Sequence, residues 1–285
     1  MAHYKFFAQA IEGLYDKGEA QSIRRIVQED VFHGRPSSSL SDEDVALLKR
    51  IEGQLLSGRP IQYILGMADF YGLKLQVNES VLIPRQDTET VVYEVIHLAK
   101  AMKKNGKLQI LDIGTGSGCM ALALKKELDL VDVLAVDVSI KALNVARKNN
   151  RGLQLCVQFE QLDILDENQW GRMGTFDIIV SNPPYIPPSE KPLMPSYVKD
   201  QEPDIALFVP QDDALLFYRK IALFGCAHLS ENGFLAFEIN EFRAMEIVKL
   251  LEQLGYRSIA IKQDLNGADR VVYAKKPFPQ GAKKA

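Results

Sequence analysis

The chain has 285 residues and a formal net charge of -3, with 47% hydrophobic and 25% charged residues. This composition is typical of a soluble globular protein, and the length suits two domains. Because the chain is net acidic, no overall basic field attracts it to nucleic acid, and we expect no direct nucleic-acid partner.

No segment predicts export or insertion into a membrane. Glu12, Asp16 and Glu19 make the first twenty residues unlike a secretory signal, and apolar stretches such as 221–229 are too short to span a bilayer. Three widely spaced cysteines predict buried free thiols in a reducing compartment, namely Cys119, Cys156 and Cys226. No cysteine or histidine spacing suits a metal. We therefore expect a cytoplasmic protein with no membrane partner and no metal site.

The first 60 residues predict a small helical domain. Apolar residues at helical spacing indicate helices over about 3–17 and 20–32. Ser41, followed by Asp44 three positions later, resembles a capping box that opens a third helix. Core packing alone explains the apolar faces of such a module. A small module beside a larger domain also suits recognition of a macromolecular substrate, which is the role that we assign to residues 1–60.

After residue 60 the hydrophobic pattern changes from helical to alternating. Residues 70–77 alternate apolar and polar side chains, a turn follows at Asn78 and Glu79, and residues 81–85 are again mostly apolar. This pattern predicts a β-hairpin, and we interpret residues 61–86 as a linker between two domains.

Residues 87–275 show the strand–helix rhythm of a parallel α/β sheet, opened by a helix over about 87–104. Strands are predicted at 108–113, 131–136, 155–162, 176–180 and 234–239, with a closing hairpin at 256–261 and 270–274. Helices are predicted between them at 119–128, 140–149, 214–229 and 242–254. The basic residues 276–285, which include proline and glycine, predict a flexible tail.

The segment Asn182-Pro183-Pro184-Tyr185 directly follows the predicted buried strand over 176–180. Prolines cannot donate to a sheet, so the strand ends here, at the carboxyl edge where α/β folds bind ligands. The Asn182 side chain and the Pro183 carbonyl offer two acceptors to a planar NH2 group, and Tyr185 could stack on its plane. This predicts a site for a substrate amide or amino nitrogen. A plain turn capped by Asn182 explains these residues about equally well.

A glycine-rich segment, Gly114-Thr115-Gly116-Ser117-Gly118, joins the first of these strands to its helix. Glycines allow a sharp turn and a close approach of ligand to backbone, and the helix that follows directs N–H groups at the ligand. Gly118 comes one position early for the dinucleotide fingerprint, and the loop lacks the lysine of a phosphate-binding loop. The spacing favours S-adenosylmethionine.

Acidic side chains follow the next two predicted strands. Asp137 lies about twenty residues beyond the glycine loop, where an acidic side chain typically accepts ribose hydroxyls. Asp163 could accept the adenine amino group while Ile164 flanks the ring. A role for Asp163 as a helix N-cap is equally consistent with the sequence.

These motifs together resemble those of the glutamine methyltransferases that modify peptide chain release factors, the HemK/PrmC family. The resemblance covers nearly the whole chain. The segments that carry it are residues 59–66, 70–72, 81–85, 112–118 and 181–186.

The resemblance implies a class I SAM-dependent methyltransferase domain, Rossmann-like and seven-stranded, preceded by a helical-bundle domain and a linking β-hairpin. It implies methyl transfer from S-adenosylmethionine to the glutamine amide in the Gly-Gly-Gln motif of release factors. The residues implied to contact the cofactor are Gly114–Gly118, Asp137, Ile164 and Asn182. Those implied to hold the glutamine are Asn182–Tyr185.

The chain departs from the family pattern at three positions. Gln86 and Asp87 stand where the family usually has proline and glutamate, and Ala268 stands where arginine is usual. These departures concern the substrate contacts rather than the cofactor fold.

Other functions remain compatible with the same residues. An adenine amino group in DNA or RNA, or the glutamine of a ribosomal protein, presents a similar planar NH2 group. A binding protein that keeps an inactive methyltransferase fold and a nicotinamide dehydrogenase are alternatives of other classes. The early Gly118 argues against the dehydrogenase, and the intact loop argues against an inactive fold.

Overall fold

In the computed structural model, which describes residues 2–102, 106–194 and 196–278, the chain divides into two units. One unit consists of Met1–Gly66 and Met194–Gln201, and the other of Met67–Leu193 and Glu202–Ala285. Within the described ranges, no helix is both long enough and apolar enough to cross a membrane.

The first unit is helical. Its helices are α1 (Ala2–Ile11), α2 (Lys17–Ile26), α3 (Asp42–Leu56), α4 (Ile61–Leu65) and a one-turn helix at Ser196–Lys199. Its core contains Phe7, Ile11, Val27, Phe32 and Leu55, all of them buried. The capping box is confirmed, since Asp44 N–H donates to Ser41 Oγ and Ser41 N–H donates to Asp44 Oδ2.

The predicted helix boundaries at the N-terminus were wrong. The chain leaves the first helix at Ile11 instead of continuing to residue 17, because Asp16 caps a new helix by accepting the Glu19 N–H at 2.9 Å. The second helix therefore begins at Lys17, and it continues into a π-helical turn over Val27–Val31. An aspartate two residues before a glycine gave no clear signal of a helix start.

The second unit begins with a hairpin whose strands differ from those predicted. The paired strands are β1 (Met67–Phe70) and β2 (Leu73–Gln76), joined at Tyr71 and Gly72. Both turn residues have positive φ, 47° and 68°, as a type I′ turn requires. Because tyrosine is rare in that position, the sequence did not reveal this turn. Residues 81–85 form no strand, and the Ile83 N–H donates instead to the Glu202 carboxylate at 3.2 Å.

The predicted seven-stranded sheet is confirmed. Its strands are β3 (Leu108–Ile113), β4 (Val131–Asp137), β5 (Val157–Gln161), β6 (Phe176–Ser181), β7 (Leu229–Glu238), β8 (Arg257–Gln263) and β9 (Asp269–Lys275). They lie in the order β5-β4-β3-β6-β7-β9-β8. Strands β3 to β7 pair in parallel, and only β9 pairs antiparallel with both of its neighbours.

Helices cover both faces of this sheet. They are α5 (Gln86–Ala101), α6 (Cys119–Glu127), α7 (Ile140–Gly152), α8 (Leu216–His228) and α9 (Ala244–Gln253). One core cluster packs α5 and α6 against the sheet through residues such as Val95 and Leu122. A second cluster packs α8 and α9 against the opposite face through Phe224 and Ile247. Alternate side chains of each central strand thus enter different cores, which explains the nearly continuous apolar strands.

Short helical segments connect the remaining elements. They are 3-10 helices at Ser37–Ser39, Glu167–Arg172, Pro188–Leu193 and Glu241–Arg243, and a one-turn helix at Asp204–Leu207. Ile186 and Phe208 form a bridge, with hydrogen bonds from Ile186 N–H to Leu207 O and from Val209 N–H to Ile186 O. This bridge closes the long connection that follows β6.

The C-terminal segment and the cysteines differ in part from expectation. Lys276 is fastened by its N–H, which donates to Gly233 O at 2.9 Å, and residues 279–285 lie outside the described residues. The three cysteines are free thiols. Cys119 and Cys226 are partly buried, but Cys156 is exposed, so its predicted burial was wrong. Cys156 falls in the short connection just before β5, outside either core.

Candidate active site

The two central strands of the sheet bring the two predicted ligand segments to one edge. Ile113 at the end of β3 is the register partner of Ser181 at the end of β6. The Ser181 hydroxyl also donates to the Ile113 carbonyl oxygen at 2.7 Å. The glycine loop starts at the next residue of one strand, and Asn182 is the next residue of the other. The strand pairing therefore places the glycine loop and the Asn-Pro-Pro-Tyr segment side by side.

Both segments line one cavity of the second unit. The cavity holds about 270 Å³ of solvent-accessible space, far more than one water molecule needs. Most of the predicted site residues line it, and they are Gly114, Thr115, Gly116, Ser117, Asp137, Asp163, Ile164, Asn182, Pro183 and Pro184. Of the predicted set, Gly118 and Tyr185 lie outside the lining. The cavity thus joins residues from four strand ends.

Gly116 and Gly118 shape the loop in different ways. Gly116 has φ of 55°, a left-handed conformation in which its N–H donates to Asp137 Oδ2 at 2.9 Å. Gly118 has φ of 85° and precedes α6. A Cβ at Gly118 would lie 3.1 Å from Leu122 Cδ1 and 3.2 Å from Ala146 Cβ. Gly118 therefore allows α6 to pack closely on α7, while Gly116 faces the cavity.

Asp137 connects the end of β4 to the glycine loop. Its Oδ2 accepts the Gly116 N–H, and its Oδ1 accepts the Ser139 N–H at 2.8 Å. Burial raises the pKa of this carboxyl, and the two backbone hydrogen bonds oppose that shift. The carboxylate is held rigidly at the cavity wall, where its remaining lone pairs are available to hydroxyl groups of a ligand.

Asp112 lies beneath the same loop and is fully buried. Its Oδ2 accepts the Thr115 hydroxyl at 2.6 Å, whereas its Oδ1 has no hydrogen-bond partner in the described structure. Burial raises the pKa of Asp112 to about 7; the hydrogen bond from Thr115 opposes this, and the nearby charge of Asp137 adds to it. The Asp112 carboxyl thus stabilises the glycine loop through its hydrogen bond with Thr115.

Asp163 and Ile164 follow β5 and form another wall. Asp163 Oδ1 accepts the Leu165 N–H at 2.9 Å, so this carboxylate caps a turn. Asp163 also lines the cavity, and Ile164 lies beside it with its side chain buried. The helix N-cap role expected for Asp163 was wrong, because Asp166 caps the 3-10 helix that follows. The adenine contact of Asp163 stays a prediction.

The Asn182 side chain is oriented by a neighbour on α5. Its Nδ2 donates to Thr88 Oγ1 at 3.3 Å. Within the described residues, no hydrogen bond occupies Asn182 Oδ1 or the Pro183 carbonyl oxygen. Tyr185 packs against the second core cluster, and burial raises the pKa of its phenol. Asn182 Oδ1 and the Pro183 carbonyl oxygen thus remain available as acceptors at the cavity. Tyr185 stabilises the segment by packing against the core.

Relatives of known type match nearly the full length of the chain. A family profile described as "Methyltransferase small domain" matches residues 95–193. A release factor glutamine methyltransferase from Flavobacterium psychrophilum is 41% identical over 274 residues, covering 93% of this chain and 95% of that protein. One from Bacteroides thetaiotaomicron is 37% identical, covering 94% and 97%. The chain belongs to the release factor glutamine methyltransferase family.

A solved structure shows the same fold. The crystal structure of a methyltransferase from Pyrococcus furiosus has a TM-score of 0.53 and 21% identity, covering 80% of this chain and 98% of that one. At this identity the likeness concerns the fold alone. The full-length relatives confirm the family resemblance that the motifs predicted, and the seven-stranded sheet confirms its fold class.

The cavity fits the S-adenosylmethionine that this family of methyltransferases uses. The lining carries two acidic side chains, Asp137 and Asp163, and one cation, Arg85, whose guanidinium pairs with Glu202. Two carboxylates beside the glycine loop suit a positive sulfonium better than the phosphates of a dinucleotide. The Ser117 hydroxyl is buried without a partner in the described structure and belongs to the same loop. Among the described residues, no group of three or more metal-ligating side chains occurs.

Sequence reasoning missed several residues at the site. Thr88 lines the cavity, and its hydroxyl donates to Glu238 Oε2 at 2.5 Å. Asn149 of α7 donates to the Ser117 carbonyl oxygen at 2.9 Å and exchanges two hydrogen bonds with the backbone of Gln76. These pairs are distant in sequence, so no local pattern indicated them. The apolar residues that follow Thr88 at helical spacing predicted only a helix.

Two of the three family departures, Asp87 and Ala268, lie near one arginine. Arg270 Nη2 lies 3.4 Å from Asp87 Oδ2 and 3.2 Å from Asp264 Oδ2. Asp264 Oδ1 accepts the Ala268 backbone N–H at 3.1 Å. The hydrogen bond at this position of the turn therefore comes from the backbone and not from a side chain. Asp87 therefore keeps an acidic partner for Arg270, while Gln86 is exposed at the start of α5.

Proposed function

We propose that this chain transfers a methyl group from S-adenosylmethionine to the side-chain amide nitrogen of the glutamine in the Gly-Gly-Gln motif of peptide chain release factors, tuning translation termination in the cytoplasm. The observation that carries the proposal is the hydrogen bond from Ser181 to Ile113. It fixes the Asn182 segment and the glycine loop at the same edge of the sheet, so both line one cavity. The names of the full-length relatives supply the substrate class.

We assign the cofactor to the glycine loop and the acidic wall of the cavity. In this assignment Gly114 to Gly118 shape the loop, Asp137 accepts the ribose hydroxyls, and Asp163 with Ile164 holds the adenine. When bound, the cofactor would supply an electrophilic methyl group on a sulfonium; the amide nitrogen would gain that methyl group and lose one proton, and the donor would leave as neutral S-adenosylhomocysteine. The two carboxylates of the lining and the Ser117 hydroxyl, which has no hydrogen-bond partner in the described structure, support this arrangement.

We assign the substrate glutamine to the Asn-Pro-Pro-Tyr segment. A carboxamide nitrogen is a poor nucleophile because its lone pair is delocalised into the carbonyl group. Asn182 Oδ1 and the Pro183 carbonyl oxygen accept its two hydrogens and favour a pyramidal nitrogen. This arrangement turns the lone pair toward the part of the cavity beside the glycine loop. Pro184 stiffens the segment, Tyr185 packs behind it, and catalysis consists mainly of positioning and electrostatics.

The experiment is a transfer assay with methyl-labelled S-adenosylmethionine. The acceptors are a release factor, the same release factor with the Gly-Gly-Gln glutamine changed to alanine, a ribosomal protein with an exposed glutamine, and duplex DNA. We expect label only in the intact release factor, and peptide mass spectrometry should place one methyl group on that glutamine. Label in DNA or in the ribosomal protein, or equal label in the glutamine-to-alanine release factor, would contradict the proposal.

A further inference from the structure

A chain of three side chains extends from the cavity into the core of the second unit. Asn182 Nδ2 donates to Thr88 Oγ1 at 3.3 Å, and Thr88 Oγ1 donates to Glu238 Oε2 at 2.5 Å. Thr88 and Glu238 are both buried, with 3% and 2% of their surface exposed. In the assignment above Asn182 contacts the substrate nitrogen; Thr88 also lines the cavity, whereas Glu238 does not. The chain ends in a carboxylate that the substrate cannot touch directly.

The charge of Glu238 determines the direction of every hydrogen bond in this chain. An ionised carboxylate can only accept, so the Thr88 hydroxyl must give its single hydrogen to Glu238. Thr88 then has only lone pairs left for its second partner. It must therefore receive a hydrogen from the NH2 group of Asn182, and the Asn182 carbonyl oxygen is forced to the other side. The amide orientation thus follows from a charge that lies two hydrogen bonds away.

We propose that Thr88 and Glu238 are positioning residues that fix the orientation of the Asn182 amide, so that its carbonyl oxygen faces the substrate nitrogen. The inference rests on the function proposed above and adds two residues to that site. A protonated Glu238 can donate to Thr88, which frees the Thr88 hydrogen to bond the Asn182 oxygen. The Asn182 amide then turns its NH2 group toward the substrate nitrogen, so that a hydrogen-bond donor faces the two donor hydrogens of the substrate amide. Protonation of Glu238 therefore turns the acceptor away.

The surroundings of Glu238 place this protonation in an accessible pH range. Burial raises the pKa of Glu238 to about 7, while the Thr88 hydrogen bond and the charge of Arg270 oppose that rise. The Tyr218 hydroxyl donates to the Glu238 backbone carbonyl at 3.0 Å. The titratable and charged groups that act with Glu238 from the packed elements are Arg85 and Asp87 near the start of α5, Cys119 on α6, Tyr185 after β6, Tyr218 on α8 and Arg270 on β9.

The first test is steady-state methylation of a release factor by the full chain across pH 5.5 to 9, a range of about 1.5 to 2 pH units on either side of the Glu238 value. Thr88→Val keeps the shape and removes the hydroxyl, so kcat should fall by about 100-fold with little change in KM for either substrate. Thr88→Ser should restore most of the rate. Thr90→Val, on the same helix, is the matched control and should behave as wild type. An unchanged kcat in Thr88→Val would overturn the proposal.

The pH profile separates positioning from a purely structural role. In the wild type, kcat should fall as pH drops below about 7, because the Glu238 carboxylate becomes protonated. Glu238→Gln cannot titrate, so that protonation should disappear from its profile. A Glu238→Gln profile with the full acidic decline of the wild type would refute the idea.

A second readout does not depend on turnover. In protein labelled with 15N-asparagine, the side-chain NH2 resonances of Asn182, identified by their loss in Asn182→Ala, should shift with a midpoint near pH 7. The shift should be absent in Glu238→Gln and in Thr88→Val. Resonances that do not move with pH in the wild type would overturn the inference. Failure of the wild type to methylate release factor would instead count against the proposed function. The resonances would still test whether Glu238 controls the Asn182 amide through Thr88.

Discussion

The backbone N–H of Gly116 donates a hydrogen bond of 2.9 Å to the carboxylate of Asp137, 21 residues further along the chain. This contact joins the glycine loop after β3 to the end of β4. The left-handed backbone of Gly116 presents its N–H to that carboxylate. One acidic side chain therefore shapes the loop and, in our assignment, also holds the ribose of the cofactor.

Asp137→Ala should weaken S-adenosylmethionine binding by about 10- to 100-fold, because a charged acceptor is removed from a partly buried site. Isothermal titration calorimetry on the purified protein measures this directly. Asp132→Ala is a matched control on the same strand, since Asp132 pairs with Lys107 at 2.9 Å and does not line the cavity. Equal affinity in wild type and Asp137→Ala would remove Asp137 from the cofactor site.

Asn182→Ala should lose methylation while keeping part of its cofactor affinity. The substitution removes one of the two acceptors that hold the substrate nitrogen, and kcat should fall by about 100-fold or more. Asn168→Ala, at an exposed asparagine outside the cavity lining, is the control and should retain wild-type turnover. If Asn182→Ala turned over near the wild-type rate, Asn182 would have no role in orienting the substrate.

Gly118→Ala should lower the free energy of unfolding by about 1–3 kcal/mol. The new methyl group would meet Ala146 Cβ at 3.2 Å, and φ of 85° is unfavourable for alanine. Urea denaturation without cofactor measures the loss. Gly152→Ala provides the contrast, because nothing lies within 4 Å of its Cβ position and it ends helix α7. The stability of Gly152→Ala should be equal to or above that of the wild type. A Gly118→Ala variant as stable as the wild type would show that α6 and α7 can move apart to admit the methyl group.

Asp112→Asn should flatten the dependence of stability on pH. The pKa of Asp112 is about 7 in the fold, above the value of about 3.9 in an unfolded chain. The folded state therefore binds this proton more tightly, and Asp112 contributes a loss of stability as pH rises from about 4 to about 7.

The measurement is the free energy of unfolding in urea at several pH values in that interval. Burial also raises the pKa of Asp137, Glu202 and Glu238, and these carboxyls act with the same sign. The slope should therefore become smaller in Asp112→Asn without vanishing. A slope identical to that of the wild type would mean that Asp112 titrates in the fold as it does in the unfolded chain.

The sequence by itself determined the sheet domain and most of its ligand edge. Nearly continuous apolar runs with β-branched residues, such as 108–113 and 176–180, predict strands buried on both faces, and strand ends in a parallel sheet meet at one edge. That rule was enough to group the glycine loop with Asp137 and Asn182. It worked because each motif directly follows a strand, so local order fixed its place.

Only the tertiary structure decided which distant side chains support that edge. The Thr88 and Glu238 side chains are joined across 150 residues, and the Asn149 contact with Gln76 spans 73. Neither pair has a local sequence signal, because a hydroxyl or carboxyl in an apolar run reveals a partner only when two elements pack together. The hairpin at Tyr71 depended likewise on a positive φ that its residue type does not favour. Local pattern thus fixed the strands and their ends, while packing fixed the hydrogen bonds behind the site.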